Sequence, residues 1–232
     1  MTSAIIVAAG SSRRMGFDKL FTPLAGKPVL WYSLKAFSDC REVDELLIVT
    51  REEQMDDMEK LVETEKFAKV KKVVSGGSER HMSVWNGLQA LTAEGSEFIA
   101  IHDGARPLTT PKLIKSCLDL ARLHGAACCA SQIPDTVKRA SIEQMVTESV
   151  ERTGLWAMQT PQAFSSGLIL QAYASLMAKH EMVTDEVSAV QKLGKKIALL
   201  KNDEWNFKIT FPHDLELAEH VLELRSKKKP RV

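Results

Sequence analysis

The 232-residue sequence lacks a long hydrophobic run, a paired-cysteine motif and an excess of charge of either sign. Its first apolar segment, residues 4–8, follows no basic region and is too short for a signal sequence or a membrane span. The formal net charge of +1 gives no global field that would attract nucleic acid or an anionic membrane. We therefore expect a cytoplasmic protein with no nucleic-acid or membrane partner, in which local basic clusters hold any anionic ligand.

The four cysteines form no motif for a metal or a disulfide. They are Cys40, Cys117, Cys128 and Cys129, and no Cys-x-x-Cys pair occurs among them. The adjacent Cys128 and Cys129 would point to opposite faces of a strand. We expect buried free thiols.

Short apolar runs alternate with amphipathic stretches through the first 132 residues. The predicted strands are residues 3–8, 45–50, 70–74, 97–101 and 126–131, and the predicted helices are 29–38, 52–63, 81–93 and 111–124. Most of the strand segments are almost continuously apolar, which is typical of strands that are covered on both faces. The alternation predicts an α/β fold with a mostly parallel sheet between two layers of helices.

The pattern changes at residue 133. Polar and apolar residues alternate in two short runs within residues 133–156, which predicts an exposed antiparallel β-arm. Because an exposed hairpin is marginally stable alone, we expect the arm to pack on another subunit. Helices at 165–179 and 185–193, strands at 196–200 and 205–210, and a last helix from residue 212 are predicted to follow. Thr184 is expected to cap the second of these helices.

The loop after the first strand, residues 8–19, begins with small residues and continues with hydroxyls and two arginines. Small residues let backbone amides approach an anion, and Arg13 and Arg14 can contact phosphate. The loop is not a Walker A motif, since five residues separate its glycines and Phe17-Asp18 follow; the G-x-G-x-x-G pattern is absent as well. Phosphate binding is favoured over a polar turn with solvated arginines.

Two further loops follow predicted strands, where ligands bind in sheets of this kind. Asp103 can either cap a turn or hold Mg²⁺, which takes its other ligands from phosphates and water. Gly76 and Gly77 suit close backbone approach to a nucleobase. Ser83 either lines that site or bonds within the first turn of the next helix. Lys208 alternates with apolar neighbours, so its side chain points away from the apolar face. It either faces solvent or contributes to a site.

Eight segments spread along nearly the whole chain carry a family resemblance. They are residues 8–19, 76–84, 102–107 (His-Asp-Gly-Ala-Arg-Pro), 135–139, 151–156 (Glu-Arg-Thr-Gly-Leu-Trp), 159–162, 184–186 and 206–210. In this order they resemble the 2-C-methyl-D-erythritol 4-phosphate cytidylyltransferases of the non-mevalonate isoprenoid pathway. Val7 stands where many members have proline, and Ser78 stands where many have aspartate, which removes a carboxylate near the base and ribose.

The resemblance implies a single nucleotidyltransferase domain over residues 1–232, with a Rossmann-like core and with residues 133–156 as an arm that embraces a second subunit in a homodimer. The implied reaction transfers CMP from CTP to 2-C-methyl-D-erythritol 4-phosphate, giving 4-diphosphocytidyl-2-C-methyl-D-erythritol and pyrophosphate. A ribitol- or pentitol-5-phosphate cytidylyltransferase is the alternative. Two more distant alternatives are a UTP- or GTP-dependent sugar-1-phosphate nucleotidyltransferase and a non-catalytic nucleotide-binding regulator. No second module follows, so a fused bifunctional form is not expected.

The resemblance also assigns residues. Catalytic roles fall to Arg14, Lys19 and Lys208, and Arg14 and Lys19 would stabilise the transition state. Nucleotide binding falls to Ala8, Ala9, Gly10, Gly76, Gly77, Ser83 and, in support, Arg106. Asp103 would bind the Mg²⁺ cofactor. The methylerythritol phosphate would contact Thr136 and Arg152 from the partner's arm, together with Thr184.

Overall fold

The computed structural model describes residues 1–10, 15–91 and 95–227. Within these ranges the strands are β1 (Thr2–Val7), β2 (Pro23–Leu24), β3 (Lys27–Pro28), β4 (Glu45–Thr50), β5 (Val70–Ser75), β6 (Phe98–Asp103), β7 (Ala126–Gln132), β8 (Val137–Ala140), β9 (Val146–Val150), β10 (Trp156–Ser165) and β11 (Ala198–Lys201). The helices are α1 (Val29–Asp39), α2 (Met55–Thr64), α3 (Arg80–Leu91), α4 (Pro111–His124), α5 (Ser166–Ala178), α6 (Glu186–Gln191) and α7 (His213–Lys227). One 3₁₀ turn, Glu52–Gln54, precedes α2.

The central sheet has the strand order β11-β7-β10-β6-β1-β4-β5. Only β10 runs antiparallel to its neighbours β6 and β7, and the other neighbouring pairs in this sheet are parallel. The predicted mostly parallel sheet is thus confirmed. Because β1, β4, β5 and β6 run the same way, their carboxyl ends meet at one edge, which is where such sheets bind ligands.

Helices cover both faces of the sheet, as the apolar strands predicted. On one face Ile6 of β1 packs in a cluster with Phe37 of α1, together with side chains of α2 and α4. On the other face the adjacent Ile5 packs in a cluster with Leu88 of α3 and Tyr173 of α5, with α6 beside them. Alternate residues of a strand point to opposite faces, so a continuous apolar run is what two covered faces require.

The predicted β-arm is present. Strands β8 and β9 pair antiparallel as a separate two-stranded sheet, and their connection carries the almost fully exposed Ile142. Trp156 departs from the prediction, because it begins β10 in the central sheet rather than ending the arm. That the arm joins two subunits, and that residues 1–232 form one domain, stay predictions.

The predicted strand at 205–210 is wrong, since this segment forms no strand. Its backbone is held by isolated hydrogen bonds, such as Ile209 N to the Ala105 carbonyl, rather than by a ladder. Conversely, β10 and the short β2–β3 hairpin were not predicted. Pro161 lies inside β10, and a proline argues against a central strand. The strand accommodates it at an irregularity in its pairing with β7, between Met158 and Gln162.

The predicted helix cap at Thr184 is also wrong by one residue. Asp185 is the N-cap of α6, and its carboxylate accepts a hydrogen bond from the Ser188 backbone amide. Thr184 lies before the helix and is exposed, whereas Glu186 is fully buried.

All four cysteines are free and buried, as predicted. Burial raises the pKa of the Cys40 thiol to about 11. None of the helices in the described ranges is long and apolar enough to cross a membrane.

Candidate functional site

A cleft of about 430 Å³ lies at the carboxyl ends of β1, β5 and β6. All three loops that the sequence singled out contribute to it. Its lining includes Ala9, Gly10, Lys19, Gly77, Ser78, Arg80, Ser83, Asp103, Lys208 and Thr210. The topology therefore brings together residues that are far apart in the chain.

One wall of the cleft is made of closely packed backbone. A Cβ at Gly76 would lie 2.6 Å from the Ala9 Cβ and 2.8 Å from the Ser83 Oγ. The Gly77 amide donates a hydrogen bond to the Ser83 hydroxyl at 3.1 Å. The neighbouring Ala8 is buried in the hydrophobic cluster that contains Phe37 of α1. Because Gly76 carries no side chain, the loop that follows β5 can lie directly against the loop that follows β1.

Lys19 also lines the cleft and is buried, and its ammonium donates to the Ile209 carbonyl at 2.9 Å. The preceding Asp18 accepts a hydrogen bond from the Leu20 amide and forms an ion pair with Arg51 at 2.9 Å. These contacts hold the backbone on both sides of Lys19 in place. Arg14, predicted to be its catalytic companion, lies outside the described residues.

Asp103 is the centre of a charged cluster. Its carboxylate contacts Lys208 Nζ at 3.1 Å, Arg80 Nη2 at 3.1 Å and Arg106 Nε at 3.5 Å. Burial by itself would raise the pKa of Asp103, but the three cations outweigh burial and hold that pKa well below its usual range. Asp103 is therefore an ionised anchor at any physiological pH.

The cluster extends inward to a second acid, to which the sequence analysis assigned no role. Glu186 is fully buried and pairs with Arg80 through two contacts, Nη1 to Oε1 at 2.6 Å and Nη2 to Oε2 at 3.1 Å. The Tyr173 hydroxyl donates to the same Oε1 at 3.1 Å. Burial lowers the pKa of Arg80, but Glu186 and Asp103 outweigh it and raise that pKa above its usual value.

The charged cluster also borders a second cavity of about 370 Å³. This cavity is lined by Arg80, Asp103, Arg106, Met158, Gln159, Thr160, Gln162, Thr184, Asp185, Ser188 and Lys208. Arg80, Asp103 and Lys208 line both cavities, so they form the wall between them.

Two predicted site residues fall in the second cavity rather than in the cleft. Thr184, which was predicted to contact the acceptor, lies there, and so does Arg106, which was predicted to support the nucleotide pocket. Thr136 and Arg152 are exposed on the arm and line neither cavity of this chain. The Arg152 guanidinium instead donates to the Pro134 carbonyl.

Lys208 is held by an irregular loop with many side-chain hydrogen bonds. The Asn206 amide donates to Gln159 Oε1 at 3.1 Å and to the Thr160 carbonyl at 2.9 Å. The Arg106 guanidinium donates to the Asn206 carbonyl at 2.8 Å. These contacts fix the loop on β10, so Lys208 needs no strand to hold its place.

His102 and Thr160 support Asp103 from behind. The Thr160 hydroxyl accepts from the Asp103 amide at 3.0 Å, so its own hydrogen is available to the His102 Nδ1, which lies 3.0 Å away. Burial lowers the pKa of His102 to about 3. His102 is thus a neutral core histidine.

The site offers few protein ligands to a divalent cation. In the described part of the chain, no three His, Cys, Asp or Glu side chains are grouped so that they could hold a metal ion. Asp103 is a single carboxylate in a cluster of three cations and two acids, whose net charge is +1. These residues fit a Mg²⁺ ion that arrives with a polyphosphate, which supplies its other ligands, and not an ion held by protein alone.

The fold and the two cavities define a nucleotide-binding α/β protein. Small-residue loops and lysines at the carboxyl edge of a parallel sheet suit a nucleoside polyphosphate. The second cavity, across a charged wall, leaves room for another anionic molecule.

Comparison with known proteins gives the family. The family model for 2-C-methyl-D-erythritol 4-phosphate cytidylyltransferase matches residues 2–224. The enzyme of that name from Caldanaerobacter subterraneus subsp. tengcongensis is 40% identical over 95% of this chain and 98% of its own length. The one from Halalkalibacterium halodurans is 40% identical over 95% of this chain and 96% of its own length. The chain belongs to the 2-C-methyl-D-erythritol 4-phosphate cytidylyltransferase family, which confirms the resemblance seen in the sequence.

Solved structures agree. A 4-diphosphocytidyl-2C-methyl-D-erythritol synthase from Anaerococcus prevotii superposes with a TM-score of 0.84 at 30% identity, covering 96% of both chains. The cytidylyltransferase from Thermus thermophilus gives a TM-score of 0.77 at 28% identity over 94% of this chain and 98% of its own.

Proposed function

We propose that this chain transfers CMP from CTP to 2-C-methyl-D-erythritol 4-phosphate, giving 4-diphosphocytidyl-2-C-methyl-D-erythritol and pyrophosphate in isoprenoid precursor synthesis. The observation that carries the proposal is the wall shared by the two cavities, where Lys208 and Arg80 meet Asp103. A group transferred between two bound anions must pass such a boundary. The family membership supplies the identity of the two substrates.

The nucleotide occupies the larger cleft. The backbone of Ala8, Ala9 and Gly10 and the contact formed by Gly76, Gly77 and Ser83 hold cytidine. Lys19, and Arg14 by its resemblance to the family pattern, contact the triphosphate. Mg²⁺ bound with CTP neutralises charge on the phosphates, and Asp103 is the side chain that would hold it.

The acceptor occupies the second cavity beside Thr184. Arg106 lines this cavity and supports it by holding the Lys208 loop. Thr136 and Arg152 reach the acceptor only from the arm of a partner subunit, so the protein is a homodimer in this proposal. The absence of a nucleic-acid or membrane partner belongs to the same proposal, on the grounds of the near-neutral charge. A cytoplasmic location is part of the proposal as well.

The chemistry is a direct phosphoryl transfer. An oxygen of the acceptor phosphate attacks the α-phosphorus of CTP, a new P–O bond forms, and the bond to the bridging oxygen of pyrophosphate breaks. An ionised phosphate needs no general base to remove a proton. The protein contributes positioning and positive charge, since Lys19 and Lys208 neutralise the reacting phosphates as they approach.

Pyrophosphate release with each of four nucleoside triphosphates, and with methylerythritol phosphate or ribitol 5-phosphate as acceptor, tests the function. Release only with CTP and methylerythritol phosphate is expected. Release with CTP and ribitol 5-phosphate alone would move the protein to the pentitol-phosphate cytidylyltransferases, and activity with UTP or GTP would overturn the nucleotide assignment.

A further inference from the structure

We propose that Glu186 is a positioning residue for this reaction: it fixes Arg80 between two carboxylates and thereby holds Asp103 ready for the metal–nucleotide complex. The inference rests on the proposed function, in which Asp103 meets the Mg²⁺ that CTP brings.

The geometry of Arg80 leaves it little freedom. Its Nη1 and Nη2 bond both oxygens of Glu186 at 2.6 and 3.1 Å, while Nε and Nη2 bond Asp103 Oδ1 at 3.2 and 3.1 Å. A guanidinium is planar and its donors point in fixed directions, so two carboxylates on two edges lock its orientation. Glu186 therefore sets the position from which Arg80 grips Asp103.

The arrangement reaches the site rather than ending in the core. The Glu186 side chain is fully buried, but Arg80 is 26% exposed and lines both cavities. Glu186 begins α6, Arg80 begins α3, and Asp103 ends β6. These ion pairs thus connect the first residues of two helices to the edge of the sheet where the substrates would meet.

Charge explains why an acid is needed at position 186. Glu186 offsets part of the Arg80 charge, so Asp103 is not fully neutralised by Arg80. If Glu186 became neutral, the net charge of the five-residue cluster would rise from +1 to +2. Arg80 would then pair with Asp103 alone and compete with a divalent cation for that carboxylate.

The test is Glu186→Gln, measured by calorimetric titration with CTP in EDTA and again in Mg²⁺. CTP affinity in EDTA should stay at the wild-type value or increase, because the cluster gains positive charge. The added affinity that Mg²⁺ gives should fall by about 10- to 100-fold, as is typical when a residue that orients a metal ligand is changed. In turnover, kcat should fall and more Mg²⁺ should be needed for half-maximal rate.

Matched variants separate this role from a structural one. Tyr173→Phe removes one hydrogen bond from Glu186 Oε1 but keeps both charges, so its Mg²⁺ response should match wild type. Glu186→Asp should restore part of that response. Arg80→Lys should show the same loss of Mg²⁺-dependent CTP affinity as Glu186→Gln, because lysine is a point charge that cannot span two carboxylates. It therefore tests the proposal also if Glu186→Gln does not fold. Equal loss of CTP affinity in EDTA and in Mg²⁺ would show a structural role and overturn the proposal.

Asp103→Asn distinguishes the inference from the function it rests on. If Asp103→Asn loses the Mg²⁺-dependent affinity and both Glu186→Gln and Arg80→Lys retain it, the positioning role of Glu186 is wrong and the role of Asp103 stands. If Asp103→Asn retains the Mg²⁺-dependent affinity, the metal role of Asp103 is wrong, and the inference falls with it.

Discussion

The ammonium of Lys208 lies 3.1 Å from the carboxylate of Asp103, although the two residues are 105 positions apart in the chain. Asp103 ends a central strand, and Lys208 stands on a loop fixed to the neighbouring β10. Their contact lies in the wall between the cleft and the second cavity. In the proposed reaction, this contact holds a positive group beside both substrates.

Lys208→Ala should lower kcat by about 10²- to 10³-fold, the usual cost of removing one group that stabilises transition-state charge. Stability should change little, because the side chain is one-third exposed and Asp103 keeps two arginine partners. Steady-state kinetics and thermal unfolding measure the two effects. Lys208→Arg, which keeps the charge, is the control, and an unchanged kcat in Lys208→Ala would remove Lys208 from the mechanism.

Gly76→Ala should weaken CTP binding and destabilise the fold by about 1–3 kcal/mol, since the new methyl group would overpack the wall of the cleft. It would lie 2.6 Å from the Ala9 Cβ. Gly167→Ala is the matched control, because nothing lies within 4 Å of its Cβ position. CTP titration and chemical unfolding compare the two. Wild-type CTP affinity in Gly76→Ala would contradict the placement of the nucleoside at this contact.

Asn206→Asp should lower kcat and destabilise the protein by about 1–3 kcal/mol, because it replaces the donor that faces two carbonyl-type oxygens by an acceptor. Those oxygens are Gln159 Oε1 and the Thr160 carbonyl. The control is Asn202→Asp, which breaks a hydrogen bond to the same Gln159 oxygen but lies further from Lys208 in the sequence than Asn206 does. If the Asn206 amide positions Lys208, kcat should fall more in Asn206→Asp than in Asn202→Asp when the two variants lose the same stability. Equal kcat in the two variants would argue against this positioning role.

His102 should make the protein less stable in mild acid. Its folded pKa of about 3 is below the ordinary value of 6.5, so the unfolded chain takes up the proton first. This contribution to stability is complete above the unfolded pKa and is lost as pH falls towards the folded one. The loss is about 1.4 kcal/mol per pH unit within that window.

His102→Asn keeps an acceptor for the Thr160 hydroxyl but does not titrate, so its unfolding free energy should fall less steeply between pH 6 and pH 4.5 (about 1.4 kcal/mol per pH unit less). Urea unfolding at several pH values measures the two slopes. Parallel slopes for wild type and variant would mean that His102 is not held neutral in the fold.

The sequence predicts the fold well where local patterns carry the information. Continuous apolar runs such as β4 predicted strands covered on both faces, and alternation at 133–156 predicted the arm. The pattern failed at β10, where Pro161 and its polar neighbours are typical of a loop. It also failed at 205–210, where Asn206 and Gln159 replace a ladder by side-chain hydrogen bonds.

The site was predictable only in part for the same reason. Lys19, Gly77, Ser83, Asp103 and Lys208 were singled out, and they line the cleft. Arg80 lies in segment 76–84 of the family resemblance, but no role was assigned to it. Glu186 lies in segment 184–186 of the family resemblance but received no role, because an acid in the first turn of a short helix is ordinarily exposed and favourable to the helix dipole. Its complete burial depends on Arg80, which lies 106 residues away.

The most direct test of the proposed reaction is a competition for acceptor. Wild-type protein is given CTP and Mg²⁺ with equal concentrations of methylerythritol phosphate and ribitol 5-phosphate, and both cytidyl products are quantified by mass. We expect 4-diphosphocytidyl-2-C-methyl-D-erythritol to accumulate in step with pyrophosphate, with little of the ribitol product. A predominant ribitol product, or free CMP in place of either, would contradict the proposed transfer.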